Sequence, residues 1–505
     1  MWSEFSVPTL DEWKALVAKE AGGKTPEQLA SRNWEGLTYR ACCDAALATT
    51  ASGGEFANLG ICELQPDQRP SQISPQPVLR GPLGLGALLA LADHFPSVQA
   101  VELDLAQFLE HPQDLQEARA GLEIRFTSQS WVHQGADAVH ELAWSVAGLI
   151  EVIRGLKSPP PALLALKLSA GPRLFLEIAK WRAARQLWDT VCRGFEVDWP
   201  ARIHLQQDSR YLTHQDVHNN LLRSTLAGVA GLLGGACSIE LLPCDSSPEA
   251  PRWADNILHL LRLEAKVGGA ADPLAGSGLV EDLTQQLAEA AWKEVQRIEK
   301  AGGMSRQKDL WALARDQRLR FEDQLRRDQQ GLVGVNRYVA NADLSVDVPE
   351  LVYATAPPLG YAQARESVQA DKPLHQIGLL PRLEKLRWSE AFEELMRRGR
   401  GKKLDVLVLG KVTPELKGRQ AFVRTWLALA GIEPTFQKLE TPESFSAPSV
   451  WLLCCEEPVE GGPDYKVILK PPALVGKPPH QYGGVALHHG CNRVYCLEQL
   501  LDRMP

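Results

Sequence analysis

Short apolar runs alternate with longer helical segments over residues 37–341, and this alternation is the strongest constraint on the fold. The clearest apolar runs predict strands over 101–103, 122–126, 163–168, 202–205 and 238–242. The amphipathic segments between and after them predict helices over 136–154, 173–192, 217–233, 254–267 and 281–301. A strand followed by a helix usually returns parallel to the preceding strand, so this order predicts an α/β domain with a parallel sheet.

Two further regions flank this domain. The first ~35 residues carry a helical pattern with Trp13, Leu16 and Val17 on one face, which predicts an arm that leads into the domain. After Asn341 two proline-bearing stretches precede a short helix capped by Ser389, which is typical of a linker.

Beyond the linker, a strand over 404–409, a helix over 416–430 and strands over 450–454, 466–469 and 485–488 predict a small doubly wound domain. The connections after Cys455 are rich in Pro and Gly and too short for a full helix. This domain is therefore expected to be eroded relative to a complete doubly wound fold.

Composition excludes several classes of function. A chain of 505 residues exceeds the ~250–300 residues of one hydrophobic core, so two or more domains are expected. The formal charge of -8 comes without a long basic run, which argues against nucleic acid as a partner. No apolar run of about 18 residues and no leader-like N-terminus is found, so we expect no membrane association and a cytoplasmic location.

The ten cysteines are scattered without a CxxC pair, and we expect them to be reduced. His488, His489, Cys491 and Cys496 lie close together in the sequence, but their spacing matches no known zinc module. We therefore predict no metal site in this chain.

Several sequence blocks occur in a fixed order and spacing: Phe175-Leu-Glu-Ile-Ala-Lys180 with Arg182-Ala-Ala-Arg185, Leu212-Thr-His-Gln-Asp216 with Asn219-Asn220, Gly234-Gly235, Ala271-Asp-Pro-Leu-Ala-Gly276, Gly302-Gly-Met304 and Gly334-Val-Asn336. As an ordered set they resemble the methylmalonyl-CoA mutase family. The resemblance is dense from Trp131 to Tyr338 and looser at Trp34 to Leu37 and over the last hundred residues. It implies a (β/α)8 barrel that holds acyl-CoA, a linker, and a flavodoxin-like domain that holds adenosylcobalamin.

Matched to this family, the chain divides into an N-terminal arm (1–38), an acyl-CoA mutase-type barrel (39–345), a linker (346–402) and a degenerate cobalamin-binding-like domain (403–505). The expected fold class is α/β, a degenerate (β/α)8 TIM-type barrel followed by a degenerate flavodoxin-like domain. The region between Tyr39 and Trp131 is shorter than in the family, so the barrel is expected to be incomplete there. The Gly-rich stretch from Arg80 to Leu89 is interpreted as a turn that enters a helix over 85–92.

The family's cobalt ligand is missing from its expected place. The resemblance assigns this ligand to the histidine of an Asp-x-His-x-x-Gly loop, which here corresponds to Gly410 to Arg419. No histidine occurs between His375 and His480, and His488 or His489 is the only nearby substitute. The closing segment Gly483 to Asn492 instead resembles that of family small subunits.

The barrel departs from catalytic members at five positions. Gln129 and Ser130 stand where those chains carry a Tyr-His pair, Leu163 and Ala165 where they carry an Arg and a Ser, and Glu240 where they carry a His that contacts substrate. We expect Glu240 to repel an anionic substrate. His133 fits the pattern of the small subunits, and Arg202, His204 and Gln206 are interpreted as structural.

These departures predict a non-catalytic small subunit of a heterodimeric methylmalonyl-CoA mutase. No catalytic, cofactor-binding or metal-binding residue is assigned to this chain, and adenosylcobalamin is expected in a catalytic large subunit. Two alternatives remain open. The chain could bind acyl-CoA in its own barrel and use cobalamin held by a separate protein, or it could be a free-standing acyl-CoA sensor.

Overall fold

A computed structural model describes the fold of residues 10–40, 61–63, 68–73, 76–80, 83–105, 112–156, 163–268, 272–339, 361–376, 387–409, 414–439, 451–455, 467–470, 473–475, 485–487, 491–502 and 504. Two large β-sheets organise these residues, and a two-stranded ribbon precedes them. The ribbon pairs β1 (Ser31–Arg32) with β2 (Thr38–Tyr39), after helices α1 (Leu10–Glu20) and α2 (Pro26–Leu29).

The first large sheet has seven strands, all parallel and paired in chain order. They are β3 (Ile61–Glu63), β4 (Val78–Arg80), β5 (Ala100–Asp104), β6 (Glu123–Thr127), β7 (Leu163–Ala170), β8 (Ile203–Gln207) and β9 (Ile239–Glu240). Helices surround this sheet, as a parallel sheet requires when both of its faces are buried. The structure therefore confirms the TIM-type barrel fold class, with seven strands within the described ranges.

The helices that cover this sheet and follow it are α3 (Leu85–His94), α4 (Gln129–Gln134), α5 (Ala138–Gly155), α6 (Leu174–Gly194), α7 (His218–Gly234), α8 (Ala250–His259), α9 (Gly278–Lys300) and α10 (Leu310–Arg326). A π-helical turn, Leu260–Glu264, extends α8. Local sequence explains the ends of these helices. Asp137 caps α5 by accepting from the His140 amide at 2.9 Å, and Gly235 ends α7 with a φ of 73°.

The core of the barrel lies between the sheet and these helices. Trp144 on α5 and Trp181 and Trp188 on α6 are fully buried there. Burial of a large apolar side chain stabilises a fold by about 1.5–3 kcal/mol, so these three anchor α5 and α6 to the barrel. Part of the predicted linker joins this core, because Ala364 and Val368 of α11 (Tyr361–Gln369) are buried in it.

The second large sheet has the strand order β11-β10-β12-β13-β14-β15. Its strands are β10 (Lys403–Leu409), β11 (Glu433–Leu439), β12 (Trp451–Cys455), β13 (Val467–Lys470), β14 (Ala473–Val475) and β15 (Val485–Leu487). Helix α13 (Pro414–Ala428) connects β10 to β11, and α14 (Arg493–Leu501) follows β15.

Half of this sheet follows the doubly wound prediction and half departs from it. β10 lies between β11 and β12 and is parallel to both, as in a flavodoxin-like sheet. β13, in contrast, is antiparallel to β12, and β14 is antiparallel to β13. A parallel return needs a crossover of a dozen or more residues, and the connection from Cys455 to Val467 is too short for one.

Helix α12 (Glu390–Gly399) begins after Ser389, as predicted, but the serine does not cap it in the expected way. The Ser389 hydroxyl donates to Oε1 of Glu393 at 2.6 Å instead of accepting from a backbone amide. The helix packs with α10, α13 and α14 in a second core that contains Phe321, Phe392 and Trp426. Among the described helices, none combines the length and apolar character needed to cross a bilayer.

Candidate functional site in the barrel interior

Charged side chains from five strands meet inside the barrel. Arg80 on β4, Glu102 on β5 and Arg125 on β6 stand side by side in the sheet register. Lys167 on β7 and Glu240 on β9 reach the same space. Glu102, Arg125 and Lys167 are each at most 4% exposed, so their charges depend on one another for stabilisation.

Lys167 and Arg80 each bind both Glu102 and Glu240. The ammonium of Lys167 donates to both carboxylate oxygens of Glu102 at 2.7 Å and to Oε2 of Glu240 at 2.6 Å. Arg80 donates from Nε to Glu102 at 2.7 Å and from its two terminal nitrogens to Glu240 at 2.9 and 2.5 Å. The four side chains form a closed ring of two cations and two carboxylates, with a bidentate Arg–carboxylate pair.

Glu123 extends this ring along the barrel wall. Its carboxylate accepts from Nε of Arg125 at 2.6 Å and also from Arg202, while Nε2 of His204 lies 3.1 Å away. Nδ1 of His204 makes a 2.7 Å hydrogen bond with the Ser238 hydroxyl. Arg202 and His204 thus orient a buried carboxylate, which agrees with the structural role predicted for them.

The pKa values follow from this pairing. Burial alone would raise the pKa of Glu102, but the charges of Arg80, Lys167 and Arg125 outweigh burial and hold that pKa well below its ordinary value. Burial likewise opposes ionisation of Glu123, and His204 with Arg125 again reverses the direction, so its pKa is also well below the ordinary value. Both carboxyls are therefore ionised throughout the physiological range.

The interior part of this group is close to electrically neutral. Glu102, Glu123 and Glu240 face the cations of Arg80, Arg125 and Lys167. The expectation that Glu240 would repel an anionic substrate is therefore wrong, because Arg80 and Lys167 neutralise its charge. Displacement of one partner from this interior is unfavourable, because breaking a buried ion pair costs about 3–5 kcal/mol.

The structure also places Ser130, His133, Ala165 and Leu163. The Ser130 hydroxyl donates to Oδ2 of Asp104 at 2.5 Å, and Nε2 of His133 lies 3.0 Å from the Ser209 hydroxyl. Ala165 is fully buried on β7, whereas Leu163, the first residue of that strand, is 43% exposed. The structure does not bring Leu163 into the charged group.

Arg80, Glu102, Arg125 and Lys167 were not among the residues singled out from the sequence. A signal exists for Lys167, which is the one charged residue of β7, whereas β5 and β6 each carry a second charged residue. Arg80 was included only as the start of a Gly-rich turn into a helix, and α3 begins at Leu85.

The family blocks form a second set of buried polar contacts. Glu141 accepts from the Ser128 hydroxyl and the Ser169 amide at 2.7 Å and from Lys180 at 2.9 Å. Arg182 binds Glu281 at 2.5 Å and also Asp272, which fixes α6 to α9 and to the segment before it. These contacts join helices to strands and loops, so the matched residues maintain the fold.

Two more blocks act in the same way. Arg185 donates to the Gly234 carbonyl at 2.6 Å and also to the Gly235 carbonyl, both unpaired at the end of α7. Asn220 accepts from the Thr213 amide at 3.1 Å and donates to the Cys244 carbonyl at 2.9 Å. Both side chains hydrogen-bond to backbone groups that would otherwise be buried without partners.

The loop that the resemblance aligns with the family's cobalt-binding loop offers no imidazole. It runs Gly410-Lys-Val-Thr-Pro-Glu-Leu-Lys-Gly418, of which Gly410 to Thr413 lie outside the described residues, and α13 begins at Pro414. His488 and His489 also lie outside the described residues.

Cys491 and Cys496 are buried, and their side chains hydrogen-bond to each other, which together with burial raises the pKa of the Cys496 thiol. Within the described ranges no three His, Cys, Asp or Glu side chains are grouped to hold a metal.

Sequence comparison relates this chain to characterised enzymes. Residues 116–359 match the family model described as methylmalonyl-CoA mutase. The methylmalonyl-CoA mutase of Escherichia coli (strain K12) is 32% identical over 240 residues, which cover 43% of this chain and 33% of that protein. In Propionibacterium freudenreichii subsp. shermanii, the methylmalonyl-CoA mutase small subunit is 36% identical over 187 residues, 34% of this chain and 29% of that subunit. The large subunit of the same organism is 32% identical over 236 residues, 42% of this chain and 32% of that subunit.

The match spans about a third of the length of these relatives. It covers the part of the barrel in which the family blocks make the buried contacts described above. Its boundaries include β6 to β9 and α4 to α10. Residues 116–359, just under half of the chain, are therefore similar to the methylmalonyl-CoA mutase family.

Proposed function

We propose that this chain is the non-catalytic small subunit of a cytoplasmic, heterodimeric, adenosylcobalamin-dependent methylmalonyl-CoA mutase. The large subunit would bind adenosylcobalamin and interconvert methylmalonyl-CoA and succinyl-CoA. The observation that carries the proposal is the ring of Arg80, Glu102, Lys167 and Glu240 inside the barrel.

An acyl-CoA substrate needs cationic donors that are available to its negatively charged groups. Inside this barrel the guanidinium of Arg80 and the ammonium of Lys167 are each held by two carboxylates. A substrate carboxylate would have to take the place of Glu102 or Glu240, and the displaced carboxylate would lose both Arg80 and Lys167 while it remains in the interior. This energetic cost supports a structural role for the barrel instead of a catalytic one.

Relatives support a two-chain arrangement. One of those described above is named a small subunit and another, in the same organism, a large subunit. The loop Gly410 to Gly418, which has no imidazole, is consistent with cobalamin being held by the partner.

The N-terminal arm is the surface that we assign to the partner. No residue described in α1 is buried, and Leu16 is 51% exposed, so the apolar face of this helix does not pack into the barrel core. Trp2 and Phe5, which extend this face in the sequence, lie outside the described residues. Apolar faces left exposed in this way often mark protein interfaces.

The end of the arm contacts the barrel of its own chain. Glu35 pairs with Arg173, and Thr38 exchanges two hydrogen bonds of 2.9 Å with Gln286. Deleting residues 1–30 therefore removes α1 and α2 but leaves these contacts in place.

The test is co-expression with a longer homologue that carries an Asp-x-His-x-x-Gly loop, followed by size-exclusion chromatography with light scattering. We expect a one-to-one complex, and we expect deletion of residues 1–30 to weaken it at least tenfold while the thermal midpoint of the isolated chain changes little. A chain that pairs only with itself, beside a catalytic chain that is fully active alone, would refute the proposal.

Titration of the isolated chain with acyl-CoA separates the proposal from its alternatives. The small-subunit role predicts no binding within the barrel. Micromolar affinity that is lost in Lys167→Met would instead favour a chain that binds acyl-CoA in its own barrel or senses it.

A further inference from the structure

An open cavity of about 680 Å³ lies where the turn after α10 meets α13 and α14. Its wall includes Asp328, Arg337, Tyr338, Phe422, Arg424 and Arg493. None of the lining residues belongs to strands β3 to β9, so the cavity is separate from the barrel interior. Its volume is within the range of about 300–1,000 Å³ that is typical of small-molecule sites.

The charges on this wall do not balance. Nε of Arg337 donates to Oδ1 of Asp328 at 3.0 Å, and Arg493 donates to the other oxygen of the same carboxylate. Arg424 lies over the ring of Phe436, 5.3 Å from its centroid. Three guanidinium groups thus line the cavity with one carboxylate, which leaves a surplus of positive charge that an anion would neutralise.

Arg493 bears the largest desolvation cost of the three. It is only 7% exposed, and burial lowers its pKa while Asp328 offsets part of the effect. An anion in the cavity would add to the stabilisation that Asp328, the Asn336 carbonyl and the Trp426 ring give this guanidinium. A guanidinium binds phosphate through two parallel hydrogen bonds, so phosphate is the anion that suits this wall best.

The turn also presents an aromatic ring at the cavity. Tyr338 has a φ of 53° and is 82% exposed, and Asp328 has a φ of 60°. Bulky residues rarely adopt this left-handed backbone, and such positions concentrate at functional sites. The turn is held by Asn336, which donates to the Leu325 and Gln330 carbonyls at 3.1 and 2.8 Å.

From this geometry we infer that the cavity binds a phosphate ester of nucleotide size. Its phosphates contact Arg337, Arg424 and Arg493, and its ring packs on Tyr338 and Phe422. Stacking of a base on an aromatic side chain contributes about 1–3 kcal/mol, so the ring and the phosphates both add to affinity. The inference does not depend on the proposed subunit role.

Isothermal titration of the full chain with ADP, pyrophosphate and adenosine tests the inference. We expect ADP to bind with a dissociation constant below 1 mM, with pyrophosphate weaker and adenosine weakest. The double variant Arg337→Gln/Arg424→Gln should weaken ADP binding at least tenfold, because two of the three guanidinium groups lose their charge. Arg315→Gln, which changes an exposed arginine on α10 outside the cavity, is the matched control.

Three results would overturn the inference: no ADP binding at millimolar concentration, equal affinity for adenosine and ADP, or unchanged ADP affinity in the double variant. The same variants separate this site from the barrel. Acyl-CoA binding that is lost in Arg337→Gln/Arg424→Gln but kept in Lys167→Met would come from this cavity, because CoA carries phosphate groups. The reverse result would place the binding in the barrel and count against the proposed subunit role.

Discussion

At the scale of single residues, Glu141 shows how the family blocks stabilise the barrel. It is 2% exposed and accepts hydrogen bonds from the strand β7, the turn before α4 and the helix α6. Lys180, which donates to it, has a pKa well above its ordinary value because Glu141 and Glu177 outweigh the effect of burial. Lys180 is therefore charged in the folded chain, and its buried ammonium depends on these two carboxylates.

We predict that Glu141→Ala destabilises the chain by about 3–5 kcal/mol, the cost of breaking a buried ion pair. Glu394→Ala, at an exposed position of α12, should have little effect. Urea unfolding followed by circular dichroism measures both. A loss below about 1 kcal/mol in Glu141→Ala would mean that the pair does not hold these segments together.

The interior carboxyls make a prediction about acid. The pKa values of Glu102 and Glu123 are lower in the folded chain than the ordinary value of about 4.3 expected in the unfolded chain. The unfolded chain therefore binds more protons in acid, so the stabilisation is complete above about pH 4.3 and is lost as the pH falls below it. The loss is about 1.4 kcal/mol per pH unit for each carboxyl until its folded pKa is reached.

Urea unfolding at several pH values between 7 and 3 tests this directly. Glu123→Gln should remove one carboxyl from the acid dependence and so reduce the slope below pH 4.3, whatever its stability at pH 7. Glu394→Gln should keep the wild-type slope. An unchanged slope in Glu123→Gln would show that this carboxyl is not ionised within the folded barrel.

Single residues also show where sequence reasoning failed. Glu240 was recognised as a departure from catalytic chains, yet its effect was misjudged, because its partners Arg80 and Lys167 are far from it in the sequence. Pairing of this kind depends on the strand register, which aligns Arg80 with Glu102 and Gln206 with Glu240. Composition and spacing within one segment do not contain that information.

At the scale of elements, the sequence predicts a strand or a helix correctly where the hydrophobic pattern of the segment matches the burial of its side chains. The apolar strand predicted over 163–168 is β7, Leu163–Ala170, and the helix predicted over 217–233 is α7, His218–Gly234. Helix α10 was not among the predicted elements, because its buried stripe of Leu310, Ala314, Gln317, Phe321 and Leu325 lies in a heavily charged sequence. The direction of β13 was also missed, since pairing between strands is a non-local property.

The contact between α4 and α10 leads to a test at this scale. Gly135, at the end of α4, has a φ of 120°, and a Cβ there would lie 2.5 Å from the Ala314 carbonyl oxygen. Gly135→Ala should therefore combine backbone strain of about 1–2 kcal/mol with overpacking of about 1–3 kcal/mol.

Gly36→Ala is the matched control, because Gly36 has a φ of 83° and nothing within 4 Å of a Cβ. It should show the backbone strain alone. The difference in thermal midpoint between the two variants reports the packing of α4 on α10. Equal midpoints would show that the two helices are not in close contact.

At the scale of the whole molecule, we predict that the isolated chain catalyses no mutase turnover and that Ser130→His or Leu163→Arg does not create it. Ser130 is engaged by Asp104, and Leu163 lies outside the charged group, so neither change builds a site. Catalytic groups act as a unit, and one restored member recovers little. An assay for succinyl-CoA formation tests this, and turnover by either variant would show that the rest of a site persists.

A second prediction at this scale concerns the cofactor. Adding the isolated chain to adenosylcobalamin should leave the cobalamin absorption spectrum unchanged, because the loop Gly410 to Gly418 has no imidazole. The complex with the large subunit should show the spectrum of one bound cobalamin per heterodimer. A change to the histidine-ligated spectrum with this chain alone would contradict the prediction, and His488→Ala and His489→Ala would then identify the ligand.

The closed ring of charges in the barrel also constrains how this chain can evolve. Each member binds two of the others, so any single substitution leaves the charges of the interior unbalanced. Drift at these sites is therefore restricted to paired replacements, and Arg80 and Glu240 should covary among close relatives. The same restriction makes loss of a substrate-binding lining difficult to reverse in evolution, because the return would pass through single variants that fold poorly.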